Sequence, residues 1–238
     1  MSPPSDPLDP VLADALFRPV RAGNAFEETM ERMLQAIRLG VVPPGGRLPP
    51  ERELSSRLGV SRVTLREALR ALQESGHVES RRGRYGGTFV RLPSSDPLPL
   101  PSDDIEDILT LRYTLETGAA EVAASRSLTP QVRRHLRGCL ADASTAGVDH
   151  YRRTDSRLHL AIAEATAAPS LTAAVADVRT RLNALLAALP LIPANLTHSN
   201  DQHKTIIDAI LDGDAGAARL AMAEHLAGTA ALIRGFLA

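Results

Sequence analysis

Between Leu92 and Asp104 the chain reads LPSSDPLPLPSDD. Each proline there fixes φ and removes a backbone donor, and four of them in so short a stretch exclude the interior of a helix or strand. The segment therefore divides the 238 residues into two parts, each of domain size. A second proline cluster (Pro3, Pro4, Pro7, Pro10) opens the chain. The expected organisation is an arm over residues 1–23, with a short helical piece at Val11–Phe17, a first domain at 24–91, a linker at 92–103 and a second domain at 104–238.

The first domain carries its own order. Phe26, Met30, Met33, Leu34 and Ile37 recur at helical spacing, which predicts a helix over residues 24–39 that Gly40 stops. Pro43, Pro44, Gly45 and Gly46 then form a turn. Pro50, placed in a first turn and followed by Glu51 and Glu53, opens a second helix with Leu54 and Leu58 inward. Gly59-Val60 turns the chain. Ser61 is an N-cap for a third helix from Arg62 to Ser75, with Leu65, Ala68, Leu69 and Leu72 inward. Val78 and Ser80, then Thr88 and Val90, are short strand candidates around a Gly83–Gly87 turn. Helix, helix, turn, helix and a glycine-turned hairpin is the outline of a winged helix-turn-helix. An α-helix fits the major groove, where base edges are distinguishable. Arg62 and Arg66 share one face of helix three beside Thr64; Arg52 starts helix two; Arg81, Arg82 and Arg84 crowd the hairpin. Taken singly, an arginine on a helix surface is an ordinary solvated residue.

Charge divides along the same boundary. Residues 24–91 hold 12 Arg against 8 Asp and Glu, whereas residues 102–238 hold 13 Lys and Arg against 16 Asp and Glu. The first part suits a polyanion, because arginine neutralises phosphate and releases counterions; a solvated charged face explains so small an imbalance nearly as well. The single cysteine, Cys139, excludes a disulfide framework and a cysteine-rich zinc module and reads as a small buried hydrophobe. There is no charged-then-apolar signal segment, and no apolar run approaches the ~18 residues of a membrane span, so a cytoplasmic location away from the membrane is expected.

The second domain is rich in Ala and Leu and shows no strand pattern. Six helices are predicted, at about 104–125, 129–144, 149–167, 170–189, 199–212 and 214–236, with breaks at Pro190 and Pro193 and at Asp212-Gly213-Asp214. The fold class is thus mainly α: an N-terminal winged helix-turn-helix and a C-terminal all-α antiparallel bundle. Asp155 and His159 lie i, i+4 on one helix, with His203 and His225 on two others. Three imidazoles and a carboxylate from three helices can converge in a bundle core; imidazole suits Zn, Ni, Fe or Cu, and the carboxylate admits Mn. Spacing alone favours chance placement, since the chain has seven histidines.

The run Leu48-Pro49-Pro50-Glu51-Arg52-Glu53-Leu54-Ser55, then Gly59-Val60-Ser61-Arg62-Val63-Thr64-Leu65-Arg66-Glu67-Ala68-Leu69, resembles the GntR family signature, and Gly86-Gly87-Thr88-Phe89-Val90 resembles its wing. The resemblance implies DNA contacts from Arg52, Ser61, Arg62, Thr64, Arg66, Arg82 and Gly83. Pro50 stands where that family usually has Ser or Ala, and Tyr85 where its wing turn is often Gly. The order Asp155, His159, His203, His225, with His203–Ile210 and Asp212–Leu226 around it, resembles the FadR-type ligand domain, or FCD. This implies a divalent metal (Zn first, then Ni or Mn) held by those four residues. It also implies a small organic acid beside the metal, and Arg112 at the cavity. The other reading of Arg112 is a surface salt bridge with Glu116. Ala168-Pro169 replaces the family's usual Asn-Pro, so effector identity does not carry over. His150 and His198 are read as surface residues. The expected function is that of a homodimeric transcriptional regulator, a repressor of pseudo-palindromic operators gated by that acid. Its rivals are a metal-responsive sensor, a structural zinc and a metalloenzyme.

Overall fold

The computed structural model describes residues 17, 19–20, 22–38, 42–83, 86–91 and 102–237. The expected stop at Gly40, the wing residues Arg84 and Tyr85, linker residues 92–101, and the arm and its helical piece apart from Phe17, Pro19, Val20 and Ala22–Gly23 lie outside the described residues. The chain forms two compact units. One is Met1–Pro99 together with the last eight residues, Ala231–Ala238; the other is Leu100–Ala230.

In the first unit a 3-10 turn (Ala22–Asn24) leads into α1 (Ala25–Arg38), followed by α2 (Glu51–Leu58) and α3 (Arg62–Glu74). The inward stripes are those the periodicity predicts. Met30, Met33, Leu34, Leu54, Leu58, Leu65, Ala68 and Leu72 are buried, and α3 packs on both α1 and α2. Pro50 sits one position earlier than expected, as the residue before the helix, with φ −55° and ψ 144°. Its carbonyl accepts from the Glu53 and Leu54 amides at 2.8 and 3.0 Å, so α2 starts without a side-chain cap. Gly59 closes α2 at φ 66°, the left-handed region that glycine enters without a Cβ clash. Ser61 then caps α3, its hydroxyl accepting from the Thr64 amide at 3.0 Å.

The wing is an antiparallel pair, β1 (Val78–Arg81) and β2 (Gly87–Val90), in the register Val78↔Val90 to Arg81↔Gly87. A third segment extends it. Leu48 donates to the Thr88 carbonyl at 2.8 Å, Gly45 donates to Val90 at 2.9 Å, and Val90 donates back to Gly46. Arg47 faces Phe89 in an isolated bridge. The segment before α2 thereby ties the hairpin to the helices.

The second unit is all helical: α4 (Ser102–Ala124), α5 (Pro130–Thr145), α6 (Val148–Ala165), α7 (Pro169–Ala187), α8 (Pro193–Asp212) and α9 (Ala215–Leu237), the last ending within the eight residues grouped with the first unit. Helix α4 packs on α6, α7 and α8, and α5 packs on α6 and α8. The core joins Ala119, Ala120 and Ala123 of α4, Leu158 and Ile162 of α6, Ile206 and Ile210 of α8, and Met222 and Leu226 of α9. Two boundaries differ from the prediction. Ser102 and Asp103, read as the end of a linker, begin α4. Pro193, read as a helix breaker, starts α8 six residues early, because proline at the first helical position has its φ already set and lacks only an amide hydrogen that this position does not use. Gly213, at φ 79°, ends α8; Asp214 then accepts from the Ala217 amide at 2.9 Å and opens α9. No helix among the described residues is long and apolar enough to cross a membrane.

Candidate functional site

Each polar residue of the predicted quartet lies on the inward stripe of its helix. Asp155 and His159 continue the Leu158–Ile162 stripe of α6; His203 continues Ile206, Ile207 and Ile210 of α8; His225 continues Met222 and Leu226 of α9. Packing those stripes brings one ligand atom from each residue within 4.8 Å of the others, and all four are buried. His225 Nε2 lies 3.2 Å from Nε2 of both His203 and His159, and Asp155 Oδ1 lies 3.4 Å from His203 Nε2.

The outer nitrogens decide what this cluster can hold. His159 Nδ1 lies 2.6 Å from Glu116 Oε2, and His225 Nδ1 lies 3.2 Å from Gln202 Oε1. A carboxylate and an amide oxygen only accept, so in each neutral ring the proton is on Nδ1 and Nε2 carries a lone pair. The Nε2 atoms of these two rings lie 3.2 Å apart, and a ring with its proton on Nδ1 turns its Nε2 lone pair toward the cluster. Three imidazole nitrogens and one carboxylate oxygen are a donor set that fits a divalent ion. The electrostatics agree. Burial drives His203 down to about 3 against the pull of Asp155, and burial with the neighbouring imidazoles drives His225 down, so both rings stay neutral. Burial alone raises the Asp155 carboxyl, but the Arg179 guanidinium outweighs it and holds it well below the usual range.

A buried charged layer surrounds the quartet. Arg112, Glu116 and Arg179 are each about 2% exposed. Arg112 Nε donates to Glu116 Oε1 at 3.4 Å, so the expected pair forms, but inside the protein; the surface reading of Arg112 is overturned. Arg179, on α7, donates to Asp155 Oδ2 and, at 3.2 Å, to Ser156 Oγ, and its other arm lies 3.8 Å from Glu116. The sequence reading did not include Arg179. Its signal was position: it falls in the inward row Val175, Val178, Leu182, Leu185, where an arginine needs a counter-charge. His150 is exposed and His198 half-buried, and Cys139 is buried and free, in line with their readings.

In the first unit, Arg52, Ser61, Arg62, Arg66, Arg82 and Gly83 are exposed, and Thr64 is half-buried with its hydroxyl 2.9 Å from that of Ser61. Among the described residues, Arg52, Arg62 and Arg82 form no ion pair. Arg66 is held: its Nε donates to Glu51 at 2.8 Å, across from α3 to the start of α2. Arg81 lies over the Phe89 ring at 4.3 Å and pairs with Glu79, which fixes it to the wing.

Comparison with known proteins agrees with both halves. Residues 26–90 match a profile described as bacterial regulatory proteins, gntR family, and residues 107–228 match one described as FCD domain. A protein of Escherichia coli (strain K12) assigned to regulation of the L-lactate dehydrogenase operon is 35% identical over 216 residues, covering 84% of this chain and 83% of its own. The Uxu operon transcriptional regulator of the same organism is 33% identical over 204 residues, covering 77% and 76%. The solved structure of E. coli McbR/YncC shares the fold, with a TM-score of 0.52 at 23% identity over 90% of this chain and 97% of that one. The relatives are regulators of transcription, not enzymes, and this chain belongs to the GntR family of DNA-binding transcriptional regulators, FadR type, with an N-terminal GntR helix-turn-helix and a C-terminal FCD domain.

Proposed function

We propose that the protein is a cytoplasmic repressor that binds operator DNA as a homodimer and is gated by a small organic acid at a metal-containing site in the second unit. The observation that carries the gating half is the buried convergence of Asp155, His159, His203 and His225, with one ligand atom of each within 4.8 Å of the others. Asp155, His159, His203 and His225 hold the ion, with Zn favoured by the nitrogen-rich set and Ni or Mn as alternatives. The ion would supply a Lewis-acidic contact for a carboxylate oxygen. Arg112 supplies a guanidinium to the same acid. In the first unit, α3 enters the major groove. Arg62, Thr64 and Arg66 reach base edges, Arg52 and Ser61 contact the backbone, and Arg82 and Gly83 of the wing lie along it. The acid changes operator affinity only by binding the DNA-competent and incompetent states unequally.

A thermal-shift screen of small organic acids, run on zinc-loaded and chelator-stripped protein, tests this reading. An acid at about 100 times its Kd adds about 2.7 kcal/mol, a shift of several degrees for a domain of this size. The expected result is stabilisation by zinc alone and a further shift by acid on the zinc-loaded protein only. Zinc stabilisation with no acid response would make the ion itself the signal or a structural element. No response to zinc would remove the metal from the account.

A further inference from the structure

Where α5 and α8 pack on each other they leave a groove of about 520 Å³, open to solvent and within the usual size for a small-molecule site. No member of the quartet lines it. His203 is on α8, but it points about 100° around the helix from its neighbour Lys204, which does line the groove. The apolar part is formed by Ile207 and Leu211, which belong to the core, and by Leu140, which packs against it. Asn200 lines the same groove, and its Oδ1 is buried without a hydrogen bond. An amide oxygen only accepts, so this atom lacks a donor.

Four charges border the groove. Lys204 donates to Asp208 one turn on, so these two compensate each other. The other two, Arg137 on α5 and Asp201 on α8, form no ion pair among the described residues. One cation and one anion are therefore left for an occupant, beside an acceptor and an apolar surface. A ligand with only a carboxylate answers Arg137 but meets Asp201 with like charge and brings Asn200 no donor. A ligand with only an ammonium answers Asp201 and Asn200 but meets Arg137 with like charge. A zwitterion with an apolar side chain answers every group. Its carboxylate suits the planar fork of Arg137, its ammonium brings three donors for Asp201 and Asn200, and its side chain covers Leu140, Ile207 and Leu211.

We infer that this groove is a second ligand site, separate from the quartet, and that it takes an α-amino acid with an aliphatic side chain. Arg137 holds the carboxylate, and Asp201 and Asn200 hold the ammonium. The site needs no metal, so it stands apart from the gating reading above.

The test is calorimetric titration of chelator-stripped full-length protein with L-leucine and with three compounds that each lack one of its parts. These are 4-methylpentanoate, without the ammonium; 3-methylbutylamine, without the carboxylate; and glycine, without the side chain. The expected result is that L-leucine binds at least tenfold tighter than each of the three, and that zinc loading changes its affinity less than twofold. Arg137→Gln is expected to bring L-leucine and 3-methylbutylamine to within threefold of each other, and Asp201→Asn to do the same for L-leucine and 4-methylpentanoate. Both side chains are exposed, so both variants are expected to keep the unfolding midpoint of the parent. Binding of L-leucine to the zinc-loaded protein alone would overturn the proposal, since it would assign the ligand to the quartet. Glycine or either singly charged compound binding as tightly as L-leucine would overturn the ligand class. L-Leucine affinity unchanged in both variants would overturn the assigned residues, and absence of binding at millimolar L-leucine would overturn the site; none of these results bears on the metal-dependent site.

Discussion

Replacing Arg179 with methionine is expected to destabilise the second unit by about 3–5 kcal/mol, the usual cost of removing one partner from a buried ionic set. The methionine fills much of the volume, so little of this is a cavity effect. What is lost is charge: Asp155 and Glu116 stay buried, Asp155 without a guanidinium and Glu116 with only Arg112 and His159. Arg179→Lys restores the charge but not the fork whose two arms reach Asp155 and Glu116, and is expected to recover about half. Denaturant unfolding of the chelator-stripped variants measures this. Arg179 also orients the carboxylate that would hold the metal, so zinc affinity is expected to fall about 10–100-fold in both variants. An unchanged unfolding midpoint in Arg179→Met would mean that Asp155 and Glu116 do not carry their charges in the folded protein.

The second large effect belongs to α3. Arg62→Ala and Arg66→Ala are each expected to cost about 1–3 kcal/mol of operator binding if the side chain reads a base, with discrimination lost at the base pair it contacts. The two differ in what else they touch. Arg62 is free of ion pairs among the described residues, so its variant reports on DNA alone. Arg66 also gives up its exposed bond to Glu51, which at 66% and 43% side-chain exposure is worth well under 1 kcal/mol. Fluorescence anisotropy on specific and scrambled duplexes at several salt concentrations separates the cases. A residue that contacts only phosphate lowers both affinities alike and reduces the salt slope by about 1. Unchanged binding in both variants would refute the placement of α3 in the groove.

Much of this architecture was legible in the sequence because it is local. The Ser61 cap, the Gly59 turn and the stripe from Leu65 to Leu72 are each set by residues within a turn or two of one another. The Asp155–His159 pair is local in the same sense, and the other two histidines follow once the chain is recognised as having an FCD domain. What stayed hidden is non-local. The segment Gly45–Leu48 pairs with β2 although no alternation marks it as a strand, because the hairpin edge supplies its partners. Arg179 and Glu116 look like ordinary surface charges until four helices close around them. Pro193 was misread for a chemical reason: the same ring that breaks a helix interior favours a helix start.

Operator affinity shows most directly whether an acid bound in the helical domain governs DNA binding by the other. A duplex selected by the protein itself from a random pool serves as the operator. The measurement is its Kd with zinc-loaded protein, without and with a saturating small organic acid, beside the same pair for His225→Ala. Adding the acid is expected to change this Kd by about 5–150-fold, corresponding to about 1–3 kcal/mol of coupling, and to leave that of His225→Ala unchanged. An acid that binds the protein yet leaves operator affinity unchanged would contradict it.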